Sequence, residues 1–176
     1  MKREEKNLMT RRKIMDSAMK EFADKGYGLS SVNTICSDGD ISKGILYHYF
    51  KDKDEIYLMC VKECFDRLTR HMKEHMQSSS DGVQERLNRY FEERFAFFEG
   101  NPACQRIFCD AVLMPPAHLE GAIREIKTGF DEFNIGVLNE ILSQVRLRKD
   151  VTRQEVIDTL SQYQDFINAK YQMAGA

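Results

Sequence analysis

The chain has 176 residues, 42% of them hydrophobic, and a formal net charge of −2. This size allows one or two domains with a hydrophobic core, so the fold needs neither disulfides nor metals for support. No stretch approaches the roughly 20 apolar residues of a membrane span, and the charged residues after Met1 are unlike a secretory signal. We therefore expect a cytoplasmic protein whose five cysteines are reduced.

Helical signals are dense along the chain, only three prolines interrupt them, and no sustained alternation of period two indicates strands. These features predict an all-α fold. The first helix is predicted to begin near Thr10, and Gly26 is expected to end it with a positive φ. Its apolar residues have helical spacing. They are Ile14, Met15, Ala18, Met19 and Phe22.

Two short helices are predicted next, separated by a tight turn. Ser31 suits the N-cap of a second helix that ends near Gly39, and Ser42 suits the N-cap of a third that ends near Tyr49. The sequence Asp-Gly-Asp at 38–40 favours a turn between them. This spacing predicts a helix-turn-helix.

The later helices are also marked by caps and breaks. A long fourth helix is predicted from Asp52 to about Gln77, because a capping box opens it. The polar residues 78–82 then connect it flexibly to a fifth helix that ends at Gly100.

Three further helices complete the chain. The sequence Asn-Pro at 101–102 starts a sixth helix, which ends at the two prolines 115–116. A seventh is predicted over about 117–148, and a capping box at 152–155 opens an eighth. Three glycines in the seventh helix indicate a kink, a close backbone approach or a broken helix. They are Gly121, Gly129 and Gly136.

Residues 31–50, with the sequence Lys-Asp-Lys-Asp-Glu at 51–55, resemble the DNA-binding domain of the TetR (tetracycline-repressor) family, and the resemblance covers about residues 10–60. Apolar residues here can lock the short helices against Phe22 and leave the opposite face of the third helix free. They are Ile35, Ile41, Leu46 and Phe50. The first 53 residues hold 11 Lys and Arg against 8 Asp and Glu, a net charge of +3 that favours phosphates.

The free face of the third helix carries hydrogen-bond donors, a gap at Gly44 and aromatic surface, which suit a major groove. The resemblance implies that Tyr47 and Lys53 bind phosphates, and Lys53 also lies in the first turn of its helix, where an anion is favoured. It implies base contacts from the first three residues of the helix and from His48, and contacts of the second helix with the DNA backbone. The predicted DNA-binding residues are Ser31, Asn33, Lys43, Gly44, Ile45, Tyr47, His48 and Lys53.

Two positions depart from the family pattern. Ile45 replaces the usual threonine, which is expected to shift base preference toward an apolar contact such as a thymine methyl group. Asp40 stands where the turn usually has glycine, and aspartate tolerates the left-handed conformation better than most residues. These departures leave open an alternative in which the chain is a helical adaptor that has lost DNA binding.

In the TetR family the C-terminal helices form an apolar effector pocket and a dimer interface, so the resemblance implies both here. Aromatic residues at helical spacing suit the wall of such a pocket, although an ordinary core face has the same periodicity. Arg94 and Arg106 are candidate anchors for an acidic ligand. The predicted ligand-binding residues are Phe91, Phe95, Phe98, Phe108, Met114, Phe130 and Phe133.

An apolar stripe on the eighth helix suits pairing between two chains. It consists of Val156, Leu160, Tyr163, Ile167 and Tyr171. The family pairs through its last two helices, and one helix fewer is predicted here. Either the seventh and eighth helices form the interface or the sequence is shortened, and both alternatives stay open.

Cysteine and histidine side chains line one side of the fourth helix: Cys60, Cys64, His71 and His75. This stretch spans about 22 Å at the rise of an α-helix, so one ion cannot bind all four. Either pair at i, i+4 supplies two ligands and needs others from elsewhere in the chain. We therefore expect neither a metal nor a cofactor.

Residues 1–51 are predicted to form the helix-turn-helix domain, and residues 52–176 the helical domain that binds an effector and dimerises. The resemblance implies a transcriptional regulator, a repressor that binds a palindromic DNA operator as a homodimer and is released by a small molecule. An enzyme is disfavoured, because the sequence offers no paired nucleophile and base, no phosphate-binding loop and no complete metal motif.

Overall fold

The computed structural model describes residues 3–76 and 81–174, and within these ranges the chain forms α-helices and one short 3-10 turn but no strand. The predicted all-α fold is confirmed. We call α1 to α3 the head and α4 to α8 the body. The elements are α1 (Arg3–Leu29), α2 (Val32–Asp38), α3 (Lys43–Tyr49), α4 (Lys53–His75), α5 (Val83–Glu99), α6 (Pro102–Leu113), the 3-10 turn (Ala117–Leu119), α7 (Glu120–Ser143) and α8 (Arg153–Ala174).

The first helix of the head, α1, starts earlier than the predicted position near Thr10, because Glu4 and Glu5 fall in its first turn and favour its N-terminus. All five residues of its predicted apolar face are buried. Gly26 has φ 66° and ψ 174°, so the helix is interrupted at the predicted glycine, although helical turns continue to Leu29.

The caps and the turn of the helix-turn-helix are as the sequence predicts. The Ser31 hydroxyl accepts a hydrogen bond from the N–H of Asn33 at 3.1 Å, and the Ser42 hydroxyl accepts one from the N–H of Ile45 at 3.3 Å. Between the two helices, Asp40 adopts a positive φ of 50°. The backbone of the motif is therefore set by local hydrogen bonds and one left-handed residue.

The head closes on a small apolar core. Phe22, Ile35 and Leu46 are 0% exposed and Phe50 is 2% exposed, while Ile41 is half-buried. Burial of the inner side of α3 holds that helix in place and turns its other side to solvent.

The long helix α4 starts directly after the head. The Asp52 carboxylate accepts the N–H of Glu55 at 2.9 Å, and the Glu55 side chain accepts the N–H of Lys51 at 2.6 Å. The described helix ends at His75. Residues 77–80, where the predicted helix end and most of the polar connection fall, lie outside the described residues.

Tyr57 of α4 joins the head to the body. Its ring centroid lies 5.0 Å from that of Phe22 and 5.1 Å from that of Tyr27, both in edge-on contacts with α1. Tyr57 is itself 1% exposed. The buried side chains of head and body consequently form one continuous core.

In the body, α6 contacts α1, α4, α5 and α8, and α7 packs along α4. The side chains of α6 that face these neighbours are buried: Cys104, Ile107, Phe108, Cys109 and Ala111. No helix in the described ranges combines the length and apolar character needed to cross a bilayer.

The seventh helix is shorter than predicted. The residues that follow the prolines form the 3-10 turn, and α7 ends at Ser143 rather than near Arg148. The helix runs without interruption through its three glycines, all of which are exposed. A Cβ added at any of them meets no described atom within 4 Å, so they mark neither a kink, a break nor a close approach in this chain.

The apolar stripe predicted on α8 packs largely within its own chain. Val156 and Leu160 are half-buried against the core, and Tyr163 and Ile167 line a cavity of the body. The side chain of Tyr171 lies outside the described residues. The exposed apolar surface of α8 instead includes Phe166, which is 56% exposed.

Replacement of Asp40 tests the left-handed turn. Asp40→Ala keeps a Cβ at a φ of 50°, whereas Asp40→Gly removes it. We expect the alanine variant to be about 1 kcal/mol less stable than the glycine variant, measured as the free energy of unfolding in urea. The same two substitutions at Asp38, in the last turn of α2, should show the reverse order, because glycine is a poor helix former. Equal stabilities of the two Asp40 variants would contradict the interpretation.

Candidate DNA-binding face and ligand cavity

The outer side of α3 is exposed along its whole length. Lys43, Gly44 and His48 are exposed, as are Ile45 and Tyr47, which are 45% and 50% exposed. A Cβ added at Gly44 meets no described atom within 4 Å, so the space above this residue is open. The five residues predicted on α3 thus share a solvent-facing surface with donors, one aliphatic side chain and two rings.

The N-terminus of α2 lies beside this surface. Asn33 is exposed, whereas Ser31 is half-buried and its N–H donates to Oε1 of Glu21 at 2.8 Å. Burial raises the pKa of the Glu21 carboxyl, but the hydrogen bonds from Lys25 and Ser31 outweigh it and lower the pKa below its ordinary value. Glu21 therefore holds the start of α2 against α1 as a charged group.

Lys53, predicted to bind a phosphate, contacts the head. Its Nζ donates to the carbonyl oxygen of Ser30 at 2.9 Å and lies 4.5 Å from the ring centroid of Tyr27. Burial of the ammonium lowers the pKa of Lys53. In the free protein this lysine therefore ties the start of α4 to the junction of α1 and α2.

A second link between head and body escaped the sequence analysis. The Tyr27 hydroxyl donates to Asp54 of α4 and lies 3.2 Å from Nε2 of His118, which in turn lies 3.2 Å from Oδ2 of Asp54. Burial and Asp54 raise the pKa of Tyr27 to about 12, and hydrogen bonds from Tyr27 and His118 lower the pKa of Asp54. Because residues 27 and 118 lie 91 positions apart, no local pattern identifies this group.

An apolar cavity of about 310 Å³ opens between α5 and α8. Phe91, Phe95 and Phe98, three of the predicted ligand-binding residues, line it together with Arg94 and Tyr163. This volume lies at the lower end of the range for ligand pockets.

A second cavity of about 250 Å³ lies between α6, α7 and α8 and includes Phe108 and Phe130. The two cavities share Arg94 and Gln164 in their walls. Met114 lines neither of them, because it follows the end of α6 and is 75% exposed. The structure therefore brings five of the seven predicted residues to adjacent cavities.

Phe133 and the candidate anchor Arg106 also lie away from these cavities. Phe133 is half-buried against the core, and its ring centroid lies 5.7 Å from the Nζ of Lys73 on α4. Arg106, a candidate anchor for an acidic ligand, lies on the surface and pairs with Asp24 of α1 at 3.5 Å.

Arg94 is the charged residue at the junction of the two cavities. It is 7% exposed, donates to Oδ1 of Asn168 at 3.3 Å, and lies 5.1 Å from the ring centroid of Phe108. Next to it, the Tyr90 hydroxyl donates to Oδ1 of Asn134 at 3.0 Å. Polar groups thus sit where the apolar walls meet, an arrangement common in sites that orient a ligand.

The head is a helix-turn-helix whose recognition helix, α3, exposes one face, and α4 joins it to a helical body with an apolar cavity. This combination defines a helix-turn-helix DNA-binding regulator. Residues 14–60 match the model of the family described as bacterial regulatory proteins, tetR family. The match runs from α1 to the start of α4, so this part of the chain is a DNA-binding region of the TetR type. The family and the relatives named below are regulators and not enzymes, as expected from the sequence.

Two relatives and one solved structure illustrate the similarity. The fatty acid metabolism regulator protein of Bacillus subtilis is 23% identical over 153 residues, which cover 85% of this chain and 78% of that protein. The biofilm operon negative transcriptional regulator IcaR of Staphylococcus aureus is 32% identical over 80 residues, 46% of this chain and 43% of IcaR.

The crystal structure of FadR from Bacillus subtilis in complex with stearoyl-CoA superimposes with a TM-score of 0.79 at 21% identity. The superposition covers 94% of this chain and 88% of that one. At this identity the comparison establishes the shared fold of head and body.

The head–body link predicts a pH dependence of stability. Asp54 has a lowered pKa in the folded chain, so its ionised form stabilises the fold above its ordinary value of 3.8, and this contribution is lost as the pH falls through the folded value. Asp54→Asn should therefore lower the free energy of unfolding more at pH 7 than at about pH 3. Urea titrations of both proteins at the two pH values measure the difference. Asp66→Asn, which removes a surface pair with Lys62, serves as control and should have little effect. A deficit for Asp54→Asn that does not depend on pH would contradict the assignment.

Proposed function

We propose that this chain is a transcriptional repressor that binds a palindromic operator as a homodimer and is released by a small-molecule effector. The observation that carries the proposal is the asymmetry of α3. Leu46 is 0% exposed on its inner side, while Ile45 and Tyr47 are 45% and 50% exposed on its outer side. A helix held by its core and free on its other face suits insertion into a major groove.

The exposed residues divide by chemistry. Lys43 supplies donors for a base edge, Ile45 supplies an aliphatic surface for a thymine methyl group, and Gly44 permits close approach of the backbone. Tyr47 and Asn33 supply groups for phosphates. His48 lies on the same surface as a further donor to bases.

Lys53 fits the phosphate role that the sequence predicts. One of its three ammonium donors is used on Ser30, and two remain for an anion. The lysine is the first residue of α4, whose N-terminal N–H groups favour a phosphate. We propose that it binds DNA while it braces the head.

Homodimer formation matches the twofold symmetry of a palindrome, because two recognition helices must lie about 34 to 36 Å apart to enter successive major grooves. Ile135 of α7 and Phe166 of α8 are 46% and 56% exposed. These exposed apolar side chains support a pairing surface on α7 and α8. The alternative is that further segments of a longer chain form the dimer interface.

For the effector we propose a long-chain fatty acyl thioester. The cavity wall of Phe91, Phe95 and Phe98 suits an acyl chain, and the guanidinium of Arg94 suits a polar or anionic end. The similarity to the Bacillus subtilis regulator, whose structure contains stearoyl-CoA, supports this class of ligand.

Release of DNA then requires that the effector bind two arrangements of head and body with different affinity. The group of Tyr27, Asp54 and His118 lies at this boundary and supports a path for the coupling. An ordinary coupling of about 1–3 kcal/mol weakens operator binding roughly 5- to 150-fold.

Substitutions on α3 test DNA binding. Binding sites are selected from a pool of randomised DNA duplexes with the unmodified protein, and affinities are then measured by fluorescence anisotropy. Lys43→Ala should cost about 1–3 kcal/mol on the selected site and reduce discrimination against a site with one changed base. Tyr47→Phe should weaken binding to all sequences to a similar degree, because a phosphate contact carries no sequence information.

The control for this experiment is Lys149→Ala, an exposed lysine in the connection between α7 and α8. Its affinity should equal that of the unmodified protein. Sedimentation of the complex should give two chains per selected duplex. If no sequence is enriched from the pool, the alternative of a helical adaptor without DNA binding is favoured.

The effector is tested with stearoyl-CoA against free coenzyme A. Only the thioester should raise the melting temperature and release the selected duplex, because binding to the folded state stabilises it. Phe95→Asp places a carboxylate at the half-exposed wall of the cavity and should weaken the ligand at least about tenfold by loss of apolar contact.

The control is Leu29→Asp, which introduces the same charge at a side chain that is 82% exposed and outside the cavity. Its response to stearoyl-CoA should match that of the unmodified protein. Equal responses to stearoyl-CoA and free coenzyme A would contradict the acyl site while leaving DNA binding intact.

A further inference from the structure

The last turns of α4 and the middle of α5 bring together three metal-binding side chains. They are His71, His75 and Glu93, and one ligand atom from each lies within 4.8 Å of the others. The two histidines are four residues apart on one face of α4, the spacing at which a helix presents two imidazoles to one ion. The third side chain, Glu93, lies on α5, so the sequence pattern of α4 gives no sign of it.

The distances within the cluster are close to those around a bound ion. Nε2 of His71 lies 3.1 Å from Oε2 of Glu93, and Nδ1 of His75 lies 4.0 Å from the same oxygen. Donor atoms on one tetrahedral zinc ion lie about 3.4 Å apart, given bonds of about 2.0–2.2 Å. The two imidazole rings stack, with centroids 4.2 Å apart at 28° to one another, so they lie side by side at the end of α4.

The surroundings favour an ion that exchanges with solvent. The side chains of His71, His75 and Glu93 are 23%, 45% and 26% exposed, so the site is reachable and leaves room for water as a fourth ligand. Nδ1 of His75 lies 2.8 Å from the carbonyl oxygen of His71. Because this nitrogen is also the one that lies near Glu93, an ion bound there takes the place of this hydrogen bond.

The cysteines of α4 belong to a different environment. Cys60 and Cys64 are 0% and 1% exposed in the core, and Cys64 shares a hydrogen bond with Cys104 of α6. That contact and, after it, burial raise the pKa of the Cys64 thiol, which disfavours the thiolate that zinc requires. The two pairs on α4 therefore separate into a buried thiol pair and a surface imidazole pair.

We propose that His71, His75 and Glu93 form a binding site for a divalent transition metal of the zinc class, which joins the end of α4 to α5. Two imidazoles and a carboxylate are a ligand set that zinc accepts, with one position open to water. Glu93 lies on the side of α5 opposite Phe91 and Phe95, so the ion binds outside the apolar cavity. The site shares no residue with the DNA-binding face or with the walls of the cavity.

Zinc binding to the full chain tests the proposal. Protein freed of metal with EDTA and then dialysed is titrated with zinc chloride in competition with a chromophoric chelator. One ion per chain is expected. His71→Ala, His75→Ala and the isosteric Glu93→Gln should each weaken the affinity at least about tenfold. His118→Ala, which removes an exposed histidine paired with Asp54, should bind zinc as the unmodified protein does.

Cobalt(II) distinguishes the ligand types without any substitution. Cobalt bound by nitrogen and oxygen shows weak d–d absorption in the visible, whereas a cysteine thiolate adds an intense charge-transfer band. The proposal expects only the former, and zinc should raise the melting temperature of the unmodified protein. A thiolate band, an affinity unchanged by Glu93→Gln, or no zinc bound at micromolar concentration would each overturn it.

Discussion

The contact of Tyr57 with Phe22 and Tyr27 joins the core of the head to the core of the body. The ring of Tyr57, at the start of α4, packs edge-on against both rings of α1 and is 1% exposed. Aromatic pairs in this arrangement are stabilised beyond the burial of their area. Because this contact merges the core of the head with that of the body, the orientation of α3 and the position of the cavities are parts of one packing arrangement.

Polar groups around that contact form hydrogen bonds between the head and the body. Lys53 holds the carbonyl of Ser30, and Asp54 accepts the hydroxyl of Tyr27. Two adjacent residues in the first turn of α4, one positively and one negatively charged, thus bind the head through hydrogen bonds. Both contacts therefore depend on the position of α4 relative to α1.

The body uses the two sides of α5 for different chemistry. Phe91 and Phe95 face the cavity that suits an apolar ligand, while Glu93 faces the two histidines at the end of α4. In a helix of 3.6 residues per turn, residues two positions apart point in nearly opposite directions. The same short segment can therefore serve an organic ligand and a metal ion without competition between them.

Local features of the sequence determined the head. Ser31 and Ser42 cap helices through hydrogen bonds to residues two and three positions away, and Asp40 tolerates a positive φ that the short turn imposes. Interactions between residues so close in the chain can be recognised from the sequence. The helix-turn-helix, its buried side and its exposed side therefore follow from the sequence alone.

Contacts between segments that are distant in the chain follow from the packing of the helices and have no local signal in the sequence. The link from Tyr27 to His118, the position of Met114 outside the cavities and the meeting of Glu93 with His71 depend on how helices pack. A cavity wall and a filled core have the same apolar periodicity, and only the spacing between helices distinguishes them. The helix-turn-helix could thus be predicted from the sequence, because local hydrogen bonds build it. The two cavities and the cluster of His71, His75 and Glu93 follow from the packing of helices, because their residues come from different helices.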